Sequence, residues 1–378
     1  MARTAGAAGR SRIVVALDSF KGSIAAAAAC EALAAGYADA DGPAGGGTVG
    51  ATTVLLRPMA DGGEGTLDAF AAAIPGARRM PVRVRGPHGR DVDAEWLLLP
   101  DGAGVVELAS TSGIELLGDE RLPWDADTFG FGQAIAAALD HGVDRLVLGV
   151  GSSASTDGGA GMLAALGTRV TDANGQPVAP GARGLMEVAS VDLSRLCSLP
   201  AGGAIVLSDV TNPLLGASGA AAVFGPQKGF APSELAEVDG VLERWACLLG
   251  SDPSTAGSGA AGGTGFALAA WGARIAPGAG EVAELIDLNA AIAGAALVVT
   301  GEGAYDGQSA AGKVPSFVAS RAQAAGVPVA LVAGRIDPDA DVSAFVEAIS
   351  LTDLAGGSAA ALSAPARWLH AAGSALAP

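Results

Sequence analysis

Lysine is nearly absent from this chain. Only three of its 22 lysine and arginine residues are lysines, and each lies beside glycine in a loop-like segment: Lys21, Lys228 and Lys313. Because arginine supplies the surface cations elsewhere, we interpret the lysines as positions that need a compact, flexible ammonium group, as a phosphate site does. The alternative is that they fell in loops by chance, since glycine is abundant in this chain.

Cysteine and histidine are equally scarce, with three of each. The cysteines are far apart and include no CxxC pair, which is typical of a reducing compartment and argues against a disulfide framework or a zinc site. The histidines are scattered through the chain at His88, His141 and His370, so a His-based triad or zinc cluster is not expected. The sequence also lacks a GxSxG nucleophile elbow and a GxxxxGK run followed by serine or threonine.

The net charge of −17 at pH 7 restricts the partners. It argues against nucleic acid and anionic membranes, so a small anionic ligand would need local lysines, arginines, metal or backbone amides. Residues 1–12 contain arginines but no apolar signal-peptide core, and the charge-free stretch 253–273 is too rich in glycine and serine for a membrane helix. We therefore expect a soluble, cytoplasmic protein with a disordered lead over 1–11.

The length and patterning predict two α/β domains. The chain has 378 residues, half of them hydrophobic, which exceeds the size at which one core keeps growing. Short apolar runs alternate with alanine-rich helical segments, as in α/β folds. We predict a Rossmann-like doubly wound domain over 12–82 and 285–378, with a second α/β domain inserted over 83–284.

The individual elements follow from periodicity. Buried strands are predicted over 13–17, 53–56, 146–150, 204–207 and 296–299, and hairpin-like strands over 94–99 and 104–108. Helices are predicted over 23–37, 66–73, 133–139 and 233–249, the third of them ending at the glycine of 142. Toward the C-terminus we predict a helix over 314–325, a strand over 329–332, a helix around Phe345 and a strand over 348–351.

An acidic residue lies in the turn that follows each of the five buried strands. These residues are Asp18, Asp61, Asp157, Asp209 and Glu302. Ligands of parallel sheets bind outside the carboxyl ends of the strands. We therefore expect the five acids to converge on one cleft.

Five segments combine these acids with glycine, hydroxyl groups or lysine: 18–23, 60–66, 149–161, 208–229 and 300–313. A sixth, 260–265, has glycine and threonine before an apolar helix and could be another anion-binding helix start. Segments 18–23 and 149–161 connect a strand to a helix, so their backbone amides are expected to point at an anion. The alternatives are helix caps in 18–23, a proline turn in 208–216 and a flexible linker in 260–265. The residues expected to bind substrate or phosphate are Asp18, Ser19, Ser23, Gly62, Gly63, Glu64, Ser153, Asp157, Gly158, Asn212 and Glu302.

Segment 208–216 favours a metal ion. Asp209 and Asn212 stand three residues apart after a strand, which suits a hydrated magnesium ion that takes few protein oxygens. Carboxylates, lysines and glycine-rich anion sites are together the parts of metal-assisted phosphoryl transfer.

The main rival interpretation is a nicotinamide dinucleotide site and hence an oxidoreductase. Residues 149–154 match GxGxxA, and Asp172 follows at a suitable distance. Against this interpretation, the turn continues through 157–159, whereas the dinucleotide motif opens directly into a helix. A non-catalytic protein that binds an anion is the third interpretation.

Six ordered runs resemble the signature blocks of the bacterial type-1 glycerate kinases. The runs are 18–23, 59–66, 157–162, 209–214, 223–229 and 301–313, within a match from about Ile13 to Thr352. The resemblance implies ATP-dependent phosphorylation of D-glycerate, with magnesium as cofactor and 2-phosphoglycerate as the expected product. It also implies a Rossmann-like half and a smaller α/β half. The partners would be glycerate and ATP, with a homodimer as one option for the assembly.

The chain departs from the family pattern at three places. Residues 151–157 read Gly-Ser-Ser-Ala-Ser-Thr-Asp where Gly-Gly-Ser-Ala-Thr-Asn-Asp is usual. Ala304 stands where arginine is common, and Leu17 replaces a proline. The missing arginine weakens the expected grip on the substrate carboxylate and leaves room for a different hydroxy acid.

Charge suggests the catalytic roles. Neutralisation of the transferring phosphate and of the substrate carboxylate is assigned to the lysines, Lys21, Lys228 and Lys313. Asp209 and Glu302 would hold magnesium, directly or through water. Asp61 or Asp306 would accept the proton of the substrate hydroxyl.

Overall fold

The computed structural model describes residues 11–41, 52–306 and 314–377. Its strands are β1 (Arg12–Leu17), β2 (Thr53–Leu56), β3 (Arg78–Arg85), β4 (Asp91–Leu98), β5 (Ala103–Glu107), β6 (Arg145–Gly149), β7 (Arg169–Thr171), β8 (Ser190–Asp192), β9 (Ala204–Leu207), β10 (Arg274–Ala276), β11 (Leu297–Gly301), β12 (Ala304–Tyr305), β13 (Val329–Ala333), β14 (Arg335–Ile336) and β15 (Glu347–Ser350).

Its helices are α1 (Ala26–Asp41), α2 (Thr66–Ala73), α3 (Ala109–Ser112), α4 (Phe129–His141), α5 (Ala160–Ala165), α6 (Gly181–Leu185), α7 (Ala220–Phe224), α8 (Leu235–Leu249), α9 (Ala260–Trp271), α10 (Gly278–Leu285), α11 (Leu288–Ile292), α12 (Val314–Ala324), α13 (Leu351–Ala355), α14 (Ser358–Ser363) and α15 (Pro365–Leu376). Short 3-10 helices cover Ile114–Leu117 and Pro226–Lys228. The predicted mixed α/β class is confirmed.

Contacts divide the chain into two compact units. Unit 1 takes the described residues of Met1–Ala60, Asp68–Ala73 and Val282–Pro378, and unit 2 takes Asp61–Leu67 and Ile74–Glu281. Unit 2 begins before the predicted boundary at 83 because β3 pairs with β4. It also includes the short segment at 61–67, which separates two pieces of unit 1.

The described part of unit 1 is built on a five-stranded parallel sheet in the order β15-β13-β11-β1-β2. Counted along the chain this is the order 2-1-3-4-5, the flavodoxin-like variant of the doubly wound sheet. In such sheets the ligand crevice lies at the carboxyl ends where the strand order reverses, here between β1 and β11. Leu17 pairs with Gly301, so the residues that follow them leave the sheet side by side.

One face of β1 organises the core of unit 1. Ile13, Val15 and Leu17 are buried in an apolar cluster with residues of α1 and α15. The two helices pack closely, since a Cβ atom on Gly36 would lie 1.8 Å from the carbonyl oxygen of His370. The small residues of α1 therefore let α15 approach its backbone.

Unit 2 contains a six-stranded sheet in the order β10-β9-β6-β5-β4-β3. β4 and β5 form the predicted antiparallel hairpin, and β3 extends it. β5, β6, β9 and β10 are parallel, so their carboxyl ends share one edge. The buried cluster beneath them includes Phe131, Leu148 and Trp245.

Differences between the predicted elements and the structure are largest at two places. α1 starts at Ala26 rather than at 23, because the backbones of Phe20 and Ile24 bond to each other and close a turn. Among the described residues no helix forms around Phe345; its ring packs edge-on against Tyr305, with centroids 5.7 Å apart, and the chain continues into β15. α4 starts at Phe129, before its predicted start at 133, and ends as predicted at Gly142, whose φ is 87°.

The predicted disordered lead, 1–11, lies outside the described residues except for Ser11. Among the helices of the described ranges, none combines the length and the apolar character needed to cross a bilayer.

Candidate active site

Segment 61–66 lies on the carboxyl edge of the unit 2 sheet. The Gly151 N–H, just after β6, donates to the Gly62 carbonyl at 2.8 Å. A Cβ atom on Gly62 would lie 2.2 Å from the Leu207 carbonyl at the end of β9. A Cβ atom on Gly278, just after β10, would lie 2.2 Å from the Asp61 carbonyl. Glycine is therefore required where this segment crosses the strand ends.

Asp61 and Asp209 interact at this edge. The Gly63 N–H donates to Asp61 Oδ1 at 2.9 Å, and the Gly278 N–H donates to Asp209 Oδ1 at 2.7 Å. Desolvation raises the pKa of the Asp209 carboxyl group, and the negative charge of Asp61 raises it further, while the Gly278 amide opposes the change. A cation or a proton near the two carboxylates would relieve their repulsion.

Glu107 supports the same segment and was not singled out by the sequence. It ends β5, is only 4 % exposed, and its Oε1 accepts a hydrogen bond from the Gly65 N–H at 2.7 Å. Its Oε2 lies 3.5 Å from the Leu67 amide nitrogen. Glu107 thus occupies the N-terminus of α2, where a carboxylate is favoured. The available signal was an acid at the end of a buried strand, which is the pattern used for the five predicted acids.

Asp157 and Gly158, both predicted to bind substrate or phosphate, make contacts inside unit 2. Asp157 is fully buried, and its Oδ2 accepts hydrogen bonds from the backbone and hydroxyl of Thr128 and from the Gly161 N–H. The Gly158 N–H donates to the Gly262 carbonyl at 3.0 Å. These bonds join the 151–159 loop to α4, α5 and α9. The assigned contacts with ligand stay predictions.

Lys228 lies beneath the same loop. It is 2 % exposed, and its Nζ donates to Ser153 Oγ at 2.8 Å and to the Ser155 carbonyl. Burial lowers the pKa of Lys228 to about 7, against the opposing effect of the Asp157 charge. The structure therefore places Lys228 with Ser153, one of the predicted anion-binding residues.

Glu64 and Asn212 occupy different surroundings in unit 2. Glu64 is exposed in the segment that carries Asp61. Asn212 Nδ2 donates to the Ser218 carbonyl at 2.8 Å, and the Asn212 carbonyl accepts from the Gly259 N–H at 2.9 Å. Asn212 thus closes the loop that follows Asp209.

In unit 1, Asp18 and Glu302 follow paired residues of adjacent strands, at the reversal of strand order. Asp18 Oδ1 accepts a hydrogen bond from the Ser19 N–H at 2.7 Å. Glu302 is 8 % exposed, and its carbonyl accepts a hydrogen bond from the Gly334 N–H at 3.0 Å. Asp18 and Glu302 therefore follow the ends of two neighbouring strands of unit 1, and the convergence of the five acids on one cleft stays a prediction.

Lys21 stands on the turn between β1 and α1. Its side chain is exposed beside Gly22, whose φ is 72°, and the Ser23 N–H donates to the Phe20 carbonyl at 2.9 Å. A Cβ atom on Gly303 would lie 3.3 Å from the backbone nitrogen of Lys21. The turn thus lies against the loop that carries Glu302.

Asp306 and Lys313 lie at a gap in the described chain. Asp306 directly follows β12, which pairs with β14. Lys313 lies outside the described residues, as does the rest of 307–313.

The dinucleotide interpretation gains no support from this geometry. After the GxGxxA match at 149–154, the helix α5 starts only at Ala160. The Asp172 carboxylate accepts hydrogen bonds from the backbone N–H groups of Asn174 and Gln176, which closes a turn on the surface.

Sequence comparison gives the same family over most of the chain. Residues 13–378 match the model of the glycerate kinase family. A glycerate kinase from Bacillus subtilis strain 168 is 41% identical over 339 residues, covering 87% of this chain and 86% of the relative. One from Halalkalibacterium halodurans is 39% identical and covers 86% and 85%. A glycerate 2-kinase from Escherichia coli K12 is 38% identical and covers 88% and 87%.

A solved structure is similar over nearly its whole length. It is the crystal structure of a proposed glycerate kinase 2 from Salmonella typhimurium LT2, with a TM-score of 0.78 and 37% sequence identity. The similarity covers 96% of this chain and 98% of that one. The fold, the acid-bearing strand ends and these relatives agree, and the chain belongs to the glycerate kinase family of enzymes.

Proposed function

We propose that this protein transfers the γ-phosphoryl group of ATP to the 2-hydroxyl of D-glycerate, giving 2-phosphoglycerate and ADP. Family membership supports glycerate as the substrate, and the relative named glycerate 2-kinase supports the position of transfer. The observation that carries the proposal is the interaction of Asp61 with Asp209 where segment 61–66 crosses the strand ends.

The reaction needs a base and a place for negative charge. The glycerate hydroxyl oxygen forms a bond to the γ-phosphorus, while the bond to the β–γ bridging oxygen breaks and its electrons leave with ADP. Asp61 would accept the hydroxyl proton, since the Gly63 amide fixes one of its oxygens. A well-placed base contributes roughly a hundred-fold or more to the rate. Asp306 remains the alternative base.

The carboxylate chemistry at Asp209 fits magnesium. Its raised pKa reflects desolvation and the adjacent charge of Asp61, and a divalent cation would offset both. Within the described ranges no cluster of three or more histidine, cysteine, aspartate or glutamate side chains is arranged for a metal. Magnesium needs only one or two protein carboxylates, because phosphate oxygens and water complete its shell. Asp209 would hold it, and bound magnesium would neutralise charge on the phosphate oxygens. The metal-binding role of Glu302 stays a prediction from the sequence.

Lys21 would neutralise phosphate at the strand ends of unit 1. It is exposed on a turn next to the Glu302 loop, where a flexible ammonium can reach a ligand. The corresponding role of Lys313 stays a prediction from the sequence.

A coupled assay of ADP release across small hydroxy acids tests the proposal. We expect turnover with D-glycerate and ATP that stops when EDTA removes divalent cations, and phosphorus NMR should place the phosphate on the 2-oxygen. Turnover with NAD or NADP instead, product phosphorylated on the 3-oxygen, or ADP release from a different hydroxy acid alone would contradict it. Asp61→Asn is expected to lower kcat by about a hundred-fold if Asp61 is the base.

A further inference from the structure

We propose that Lys228 is a positioning residue, which holds the 151–156 loop against segment 61–66 through Ser153 and Ser155 and does not itself touch the transferred phosphate. This inference rests on the proposed function, because it concerns the segment that carries Asp61.

The position of Lys228 is fixed by its surroundings. It ends the 3-10 helix Pro226–Lys228, and Gly229 follows with a φ of 102°. Its Nζ donates to Ser153 Oγ and to the Ser155 carbonyl. A Cβ atom on Gly262 would lie 2.9 Å from this Nζ and 2.1 Å from the Ser155 carbonyl oxygen, and the backbone contact leaves no room for a larger residue there. The ammonium group is thus enclosed by protein and bound to the inner side of the loop.

The other side of the loop leads to the candidate active site. The Ile114 N–H donates to the Ser152 carbonyl at 2.8 Å, and the Gly151 N–H donates to the carbonyl of Gly62 at 2.8 Å. Gly62 adjoins Asp61, the proposed base. A chain of direct contacts therefore runs from Lys228 through the 151–156 loop to segment 61–66.

Burying the Lys228 amine and the 151–156 loop in this way lowers the stability of the folded protein. Burial lowers the pKa of Lys228 to about 7, which means that the interior disfavours its charged form. The hydroxyl groups of Ser155 and Thr156 are buried without a hydrogen-bond partner among the described residues. Ser152 holds a left-handed backbone with φ of 57°. Strain and unsatisfied polar groups of this kind persist at functional sites.

A methionine of similar length distinguishes positioning from a purely structural role. In Lys228→Met, an apolar group removes the cost of burying the amine but leaves the Ser155 carbonyl oxygen without this donor, so the two effects oppose each other and the thermal midpoint at pH 7 is expected to change little. kcat is expected to fall by about 10- to 100-fold, because the loop loses its inner anchor, while the KM values for ATP and D-glycerate stay within about two-fold. Glu243→Met, on the exposed face of α8, is the matched control for introducing methionine.

Ser153→Ala completes a double-mutant cycle. If Lys228 acts through Ser153, the double variant is expected to be no slower than Lys228→Met alone, because Lys228→Met already removes the contact that Ser153→Ala removes. If Lys228 contacts phosphate directly, Lys228→Met should instead raise the KM for ATP strongly. The kcat losses of Lys228→Met and Ser153→Ala should then multiply in the double variant. Either of those results, or an unchanged kcat in Lys228→Met, would overturn the inference.

Amide hydrogen exchange provides a readout that is independent of turnover. Faster exchange at 151–157 in Ser153→Ala, whose fold should tolerate the change, is expected if the lysine contact orders the loop. Unchanged exchange would overturn the inference even if Lys228→Met failed to fold. Lack of turnover in the wild-type enzyme would contradict the proposed function, whereas the exchange result would still test the role of Lys228 in ordering the loop.

Discussion

Two residues of unit 2 show that a motif predicts which side chains are important but not which atoms they contact. Asp157 and Lys228 stand in segments that the sequence singled out, and both are buried. The carboxylate of Asp157 is held by Thr128, and Lys228 binds Ser153. Because these partners are distant in sequence, no local pattern contains them. The sequence could predict which residue types carry the chemistry, whereas the atoms they bind depend on packing.

Asp127, which the sequence did not single out, gives a prediction for pH. Burial and the charge of Asp157 raise the pKa of Asp127 from 3.8 to about 6, although Arg85 pairs with it. The folded protein then keeps a proton that the unfolded chain releases between about pH 4 and 6, so the free energy of unfolding falls as pH rises through this window. Asp127→Asn should lack this fall and gain up to about 3 kcal/mol relative to the wild type between about pH 4 and 7. Urea unfolding across this range measures it.

Asp125→Asn is the matched control for this prediction. Asp125 pairs with Arg183 on the surface, and its pKa is lowered by the Arg183 hydrogen bond. The contribution of Asp125 to the free energy of unfolding should therefore be constant above about pH 4 and be lost only at lower pH. If the Asp127→Asn curve runs parallel to the wild type, the carboxyl group of Asp127 does not titrate in the expected window.

At the scale of elements, strands were predicted well and loop placement was not. Runs of buried aliphatic residues indicate a strand wherever it packs, as at β2 and β9, whose predicted bounds match the structure. Segment 61–66 follows β2 of unit 1 in the chain, yet it lies against the ends of β6 and β9 in unit 2. This placement depends on glycines that accept close backbone contact, and such contacts have no periodic signature in the sequence.

Helix α10 offers two glycines that test this placement. A Cβ atom on Gly278 would meet the Asp61 carbonyl at 2.2 Å, whereas one on Gly280 meets nothing within 4 Å. Gly278→Ala is expected to displace segment 61–66 and to lower kcat by about 10- to 100-fold. Gly280→Ala should keep its activity and raise the free energy of unfolding by about 0.5 to 1 kcal/mol, because alanine is the better helix former. Steady-state kinetics and urea unfolding test both variants, and equal kcat values would show that the backbone contact does not hold the site.

At the scale of the whole molecule, the boundaries between the two compact units have no periodic signature in the sequence. The chain passes between the units near residues 60, 67, 73 and 281, and one passage occurs inside α2. A helix pattern is continuous across such a passage, so periodicity gives no sign of it. The ordered motifs were more informative about the molecule as a whole, since the family match extends over residues 13–378.

The excess of acidic residues gives a prediction for the stability of the entire chain. With a net charge of −17 at pH 7, like charges repel across the folded surface. This repulsion weakens as the Debye length falls from about 30 Å at 0.01 M salt to about 8 Å at 0.15 M. The thermal unfolding midpoint at pH 7 is therefore expected to rise with potassium chloride over this range and then to level off. Near pH 4.5, the isoelectric point, the net charge is close to zero and the rise should disappear. A rise of equal size at both pH values would mean that salt acts on the protein by a route other than screening of its acidic surface.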